Sequence, residues 1–200
     1  MPRGTRREFF APLLTFGLTG LAIASAPRVL AAQAGLDKFL VPAPPCKDDL
    51  TPAVPAGAGY RPGAPLRMSP NDRSAVGAKM TLTGFVTGLT CGRIKGARVD
   101  FWHADPGGRT DNAGFRFRGA VLTDADGRYA IETVVPGSEG GRARQIGIRV
   151  EPSGKNPLTT LLFFPNDAAA TKDKYFNKNL VMKAVSGTVN SYTFDFLLDA

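Results

Sequence analysis

Residues 123–150 read TDADGRYAIETVVPGSEGGRARQIGIRV, and they hold two short strands with their turns. Asp124-Ala125-Asp126-Gly127 is a turn signal, because Asp bonds its own backbone and Gly accepts positive φ. GRYAIETVV follows, rich in the aromatic and β-branched residues that suit a pleated surface. Pro136-Gly137 turns the chain again. In RQIGIRVE, Ile146, Ile148 and Val150 alternate with polar or small residues, the period-two signature of a half-buried strand.

The same texture extends in both directions. KMTLTGFVTG, ARVDFWHA, GAVLTD, TTLLFFP, LVMKAV and SYTFDFLL each supply four to eight strand-forming residues, separated by turn signals such as Asp105-Pro106-Gly107-Gly108 and Pro152-Ser153-Gly154. No long amphipathic helix is present, and only residues 167–179 could hold a helical turn or two. The spacing predicts an all-β fold, an antiparallel β-sandwich from about Met80 to Leu198.

Two other regions precede the sandwich. Residues 1–34 read as an export leader: a basic start with Arg6-Arg7, an apolar run, and Ala32-Gln33-Ala34, which suits signal peptidase. TRREFF resembles the twin-arginine signal. At about sixteen residues, interrupted by Gly17, Thr19 and Gly20, the apolar run is short for a bilayer span of ~20. Residues 35–79 are dense in proline (Pro42, Pro44, Pro45, Pro52, Pro55, Pro62, Pro65, Pro70), which excludes helix and central strand and predicts an extended arm across the domain.

Removing the leader's four arginines and one glutamate lowers the formal net charge from +8 to +5. The remaining basic residues are scattered, which argues against a nucleic-acid surface. The expected location is the periplasm or the exterior, with no membrane association once the leader is cleaved. In an oxidising compartment, Cys46 and Cys91 are expected to form one disulfide between arm and first strand. Metal binding by two cysteines without CxxC spacing is the weaker alternative.

Several separated segments, in order, resemble the intradiol ring-cleavage dioxygenase family: CKDDLTPAVPAGAGYRPGAPLR (46–67), GARVDFWHADPGGRTDNAGFRFRG (96–119), TDADGRYAIETVVPG (123–137) and LTTLLFFPND (158–167). The resemblance implies a β-sandwich and a ferric ion held by two tyrosines and two histidines, which activates a catechol toward O₂. Phenolate suits Fe(III), a hard ion that prefers anionic oxygen. Laid on the family pattern PGxYxxRxxHIH, this chain has Glu139 for the tyrosine, Gln145 and Gly147 for the histidines, and retains Arg142. Thr110 stands where the first tyrosine is usual. Leu161 replaces a glutamine that faces the substrate. The chain has one histidine in total, His103.

These substitutions point to a converted cavity that binds a small aromatic or anionic molecule, or a surface for a periplasmic protein partner, with no cofactor. The alternative, implied by the resemblance alone, is an Fe(III)-dependent dioxygenase acting on catechol-type aromatics. Thr110, Glu139, Gln145 and Gly147 are expected around one hollow, with Arg142 at its edge and Gly147 contributing only space. Glu139 and Arg142 are expected to pair, with Arg142 holding an anionic ligand as the alternative. His103 is expected to be partly exposed and bonded to Asp105 or a loop carbonyl; as a metal ligand it is a weak candidate. Trp102 reads as a core anchor, Tyr60 as a residue pinning the arm, and Tyr129 as packing beneath the loops and the nearest remaining phenol.

Overall fold

The computed structural model describes residues 49–57, 59–69 and 76–200. The leader with its twin-arginine motif, and Cys46 of the expected disulfide, lie outside the described residues.

Nine strands among the described residues form two packed sheets: β1 (Lys79–Gly88), β2 (Arg98–Trp102), β3 (Arg118–Leu122), β4 (Arg128–Val134), β5 (Gln145–Glu151), β6 (Leu158–Phe163), β7 (Lys183–Ala184), β8 (Ser191–Thr193) and β9 (Phe196–Leu198). One sheet has the order β4-β1-β8-β7, with β9 also on β1; the other has the order β3-β2-β5-β6. Two 3₁₀ turns, Ala170–Lys172 and Lys178–Leu180, lie between β6 and β7. The fold class is therefore all-β, as the strand spacing predicts. Most pairings are antiparallel, but β8 and β9 run parallel to β1.

The SYTFDFLL stretch makes two strands because the chain breaks at Phe194 and Asp195. There the Asp195 carboxylate accepts from the backbone N–H of Phe85 at 3.0 Å, and Phe194 N–H donates to the Thr83 carbonyl at 2.9 Å. The break thus keeps these two backbone donors paired, as burial requires. Gly84 is needed opposite it, since any Cβ there would overlap the Phe194 carbonyl. Tyr129 closes the arrangement by donating its hydroxyl to that carbonyl at 2.7 Å.

The core follows from alternation. Val99 and Phe101 of β2, Val121 of β3, Ile146, Ile148 and Val150 of β5, and Leu162 of β6 face Leu82, Val86 and Ile131 across the sandwich, all at most 1% exposed. Each such side chain contributes roughly 1.5–3 kcal/mol on burial. The opposite face of the second sheet carries Arg98, Asp100, Trp102, Arg118, Gln145, Gly147, Arg149 and Leu161, because residues two apart share a face.

The proline-bearing segment covers that face. Thr51 N–H donates to Leu197, Val54 N–H to Thr159, and Pro52 accepts from the Thr160 hydroxyl. At the other edge Pro65 and Arg67 bridge Ala120 of β3, and Met68 accepts from Glu132 of β4. Both edges of the second sheet are thus occupied, which removes a template for strand pairing. Proline suits such a cover because its carbonyl accepts while its missing N–H asks for nothing.

Candidate functional site

The site is a hollow of about 270 Å³ on the outer face of the second sheet. Its floor is β5 and β6, through Gln145, Gly147 and Leu161. Its walls are the β2–β3 loop with Thr110 and Asn112, the β4–β5 loop with Glu139 and Arg142, the covering segment at Pro55 and Gly59, and Tyr175. The four positions singled out in the sequence, and Arg142, do line one cavity.

Two glycines bring the loops together. A Cβ on Gly108 (φ +80°) would overlap the Ser138 carbonyl, and one on Gly137 would overlap the Pro106 carbonyl. This close approach sets Thr110 beside Glu139, and the Thr110 hydroxyl donates to Glu139 Oε1. Asp105 stiffens the β2–β3 loop. It accepts from Arg109 N–H at 2.9 Å, and this bond holds its carboxyl below the ordinary value despite burial. Asp111 does the same for the next turn, accepting from the N–H groups of Ala113, Gly114 and Arg116.

Glu139 and Arg142 do not pair. Arg142 instead forms a fork with Asp173, Nε to Oδ2 at 3.0 Å and Nη2 to Oδ1 at 3.2 Å, and Nη2 also donates to Gln145 Oε1 at 3.2 Å. The Asp173 side chain is 0% exposed, so it captures the guanidinium more strongly than the solvated Glu139 can. Asp173 and Tyr175 come from a stretch whose sequence shows only weak helical character, and nothing in it signals a contribution to the site. Asn112 is likewise added only by the fold.

The space at Gly147 is not empty. A Cβ on Gly147 would overlap Cε2 and Nε1 of the Trp102 indole, and one on Gly59 would sit 2.9 Å from the same ring. Trp102 therefore is not part of the core between the sheets. It pairs with Gly147 across the β2–β5 ladder, leans over it, and meets the covering segment at Gly59 and Tyr60, whose ring lies 5.2 Å away. Tyr60 packs as expected.

His103 is buried, 5% exposed, not partly open. Its Nδ1 lies 2.7 Å from the Ala104 carbonyl, which can only accept, so Nδ1 carries the proton. Nε2 then accepts from the Thr133 hydroxyl at 2.6 Å. Burial lowers its pKa from 6.5 to about 4, against the raising effect of the Ala104 bond. Both nitrogens are engaged, which leaves none for a metal. Tyr129 is not the nearest phenol either: it is 1% exposed between the sheets, and burial raises its pKa well above the ordinary value. The phenol lining the hollow is Tyr175.

Arg118 is the site's hidden cation. It is 3% exposed, stands opposite Trp102 in the ladder, and donates to the carbonyls of Gly59 and Asp111, tying the covering segment to the β2–β3 loop. Burial lowers its pKa, and nearby Asp111 raises it. An arginine on the sheet face beneath a proline-rich cover is the signal that the alternation in RGAVL contained. Among the described residues, no group of three or more His, Cys, Asp or Glu side chains is placed to hold a metal ion.

A family model described as Dioxygenase matches residues 57–200. Catechol 1,2-dioxygenase 1 of Acinetobacter lwoffii is 30% identical over 74% of this chain and 55% of its own length. Chlorocatechol 1,2-dioxygenase of a Pseudomonas strain is 27% identical over 52% of each chain. The chain thus spans about half the length of the curated relatives it matches. Among solved structures, the dioxygenase domain of a dioxygenase carbohydrate-binding protein fusion from Streptomyces sp. SirexAA-E superposes with a TM-score of 0.72 at 39% identity, covering 76% of this chain and 99% of that one. An intradiol ring-cleavage dioxygenase from Tetranychus urticae, at 18% identity and a TM-score of 0.69, shares the fold, covering 74% of this chain and 94% of that one. With the family model matching residues 57–200 and a 39%-identical dioxygenase domain superposing on its sandwich, the chain belongs to the intradiol dioxygenase family.

Proposed function

We propose that this chain is an exported member of the family that does not cleave aromatic rings and uses the converted cavity for binding. The observation that carries this reading is the engagement of all four former ligand positions in other contacts. Thr110 donates to Glu139, Gln145 accepts from Arg142, and the Trp102 indole stands over Gly147.

The donor set does not fit the ferric ion on which the family's chemistry rests. A hard trivalent cation needs several anionic oxygens or free imidazoles. Of the four positions, Glu139 alone is anionic; Thr110 is a neutral hydroxyl, Gln145 an engaged amide, and Gly147 has no side chain. Tyr175 adds one phenol, and both nitrogens of His103 are taken. Fold alone does not restore the activity. Export to the periplasm or beyond rests on the leader in residues 1–34.

A second reading, an Fe(III)-dependent dioxygenase, is favoured by the relatives named catechol and chlorocatechol 1,2-dioxygenase. One experiment separates the two. The chain is supplied with iron, its metal content is measured, and catechol and protocatechuate ring-opening is followed beside the visible spectrum. Stoichiometric iron with a phenolate-to-iron band and turnover would establish the dioxygenase; colourless protein without turnover supports the binding reading.

A further inference from the structure

Resting on the non-cleaving reading of this cavity, we infer that it takes a small, neutral, polyhydroxylated ring of monosaccharide size. Charge excludes the alternatives first. Glu139 brings a carboxylate to the hollow, while the charge of Arg142 is already answered by the buried Asp173. His103 is kept neutral by burial, and both its ring nitrogens are already hydrogen-bonded. An anion would therefore meet the Glu139 carboxylate, while Arg142 keeps only Nη1 outside its bonds to Asp173 and Gln145 and Arg118 is turned to the Gly59 and Asp111 carbonyls. A cation would meet Glu139, but the charges of Arg142 and Lys174, which lie over the Tyr175 ring at 5.6 and 4.6 Å, oppose it.

Unused hydrogen-bonding capacity then defines the ligand. Among the described residues, polar groups of the cavity's lining residues with spare hydrogen-bonding capacity include Glu139 Oε2, the Gln145 amide nitrogen, the Asn112 amide and the Tyr175 hydroxyl. They come from four different segments, the β4–β5 loop, β5, the β2–β3 loop and the chain after the first 3₁₀ turn. A flat aromatic diol carries two hydroxyls on one edge, so it can pair with fewer of these groups, and any that it desolvates without pairing is costly. A cyclic polyol has hydroxyls around its whole rim, each able to donate to the carboxylate and accept from an amide. Its C–H groups would meet Leu161, Pro55 and Ala56. A volume of about 270 Å³ lies just below the usual range for ligand cavities, roughly 300–1,000 Å³, and limits the guest to a single ring.

The test is titration calorimetry of the purified chain with D-glucose, D-xylose and myo-inositol at millimolar concentrations. Benzoate, catechol and choline serve as anionic, aromatic and cationic probes. At least one polyol is expected to bind tenfold or more tightly than any of the three others. Glu139→Gln, at an exposed loop position that the fold does not depend on, and Gln145→Ala should each weaken that binding about tenfold, the effect of one lost hydrogen bond to a charged or buried group. Binding of none of the polyols, tighter binding of benzoate, catechol or choline, or polyol binding unchanged in both variants overturns the inference. Ring-opening of catechol in the same samples would instead overturn the non-cleaving reading beneath it, so the two failures are distinguishable.

Discussion

His103 is the only histidine in the chain, and its burial gives stability a pH dependence that can be assigned to one residue. In the folded state its pKa is lowered from 6.5 to about 4, chiefly by desolvation. The unfolded chain therefore binds a proton below about pH 6.5 that the folded chain refuses until about pH 4. Stability is full above pH 6.5, falls as pH drops toward 4, and then levels off. The total loss is about 3 kcal/mol, of which about 2 kcal/mol is gone by pH 5. Asp105, Asp111 and Asp167 have folded pKa values below 3.8, so their contributions are lost at lower pH than this window. Urea unfolding followed by fluorescence of Trp102, the single tryptophan, measures the effect at pH 7, 6 and 5. His103→Leu should flatten the profile between pH 7 and 5. A wild-type stability that is flat there, or an equal fall in the variant, refutes the assignment.

Gly147→Ala should destabilise by about 1–3 kcal/mol in urea melts, since the new methyl overlaps the Trp102 indole, and Trp102→Ala in the same chain should recover part of that loss. Arg142→Met should cost about 2 kcal/mol, less than a fully buried pair because Arg142 is 37% exposed; it strands the Asp173 carboxylate, and Arg142→Lys should not restore the two-bond fork. Tyr129→Phe should cost about 1–1.5 kcal/mol through the lost bond to Phe194, measured by thermal or urea unfolding, and leave ligand binding at the cavity unchanged.

The strands were legible because their cause is local. Ile146, Ile148 and Val150 alternate in the sequence and all face the core, and Gln145 and Gly147 consequently share the other face. Turn residues marked the boundaries well, except where LVMKAV formed only the two-residue β7 and SYTFDFLL split. That split depends on Gly84 and Asp195, far apart in sequence, and no local pattern announces it. Trp102 shows the limit of reading hydrophobicity as core: its neighbours Phe101 and Val99 face inward, and alternation alone places Trp102 on the opposite face under the arm. The ion pairs misled for a similar reason. Glu139 and Arg142 are three apart, yet a buried carboxylate at position 173 competes better for the guanidinium than a solvated one nearby.

By itself the sequence determined the periodicity, the turns, the proline-bearing segment and which residues stand where the family resemblance puts ligands, because these depend on residue type and spacing. Only the tertiary structure decided what those positions now do. Thr110 and Glu139 meet because Gly108 and Gly137 let two loops approach; the space at Gly147 is filled because Trp102 lies beside it in the ladder; and His103 is neutral because the fold buries it, with Nε2 against the Thr133 hydroxyl of β4. Each of these contacts joins residues brought together by sheet register and burial. The free energy of such a contact depends on desolvation at one place in space, and a linear sequence does not specify that place.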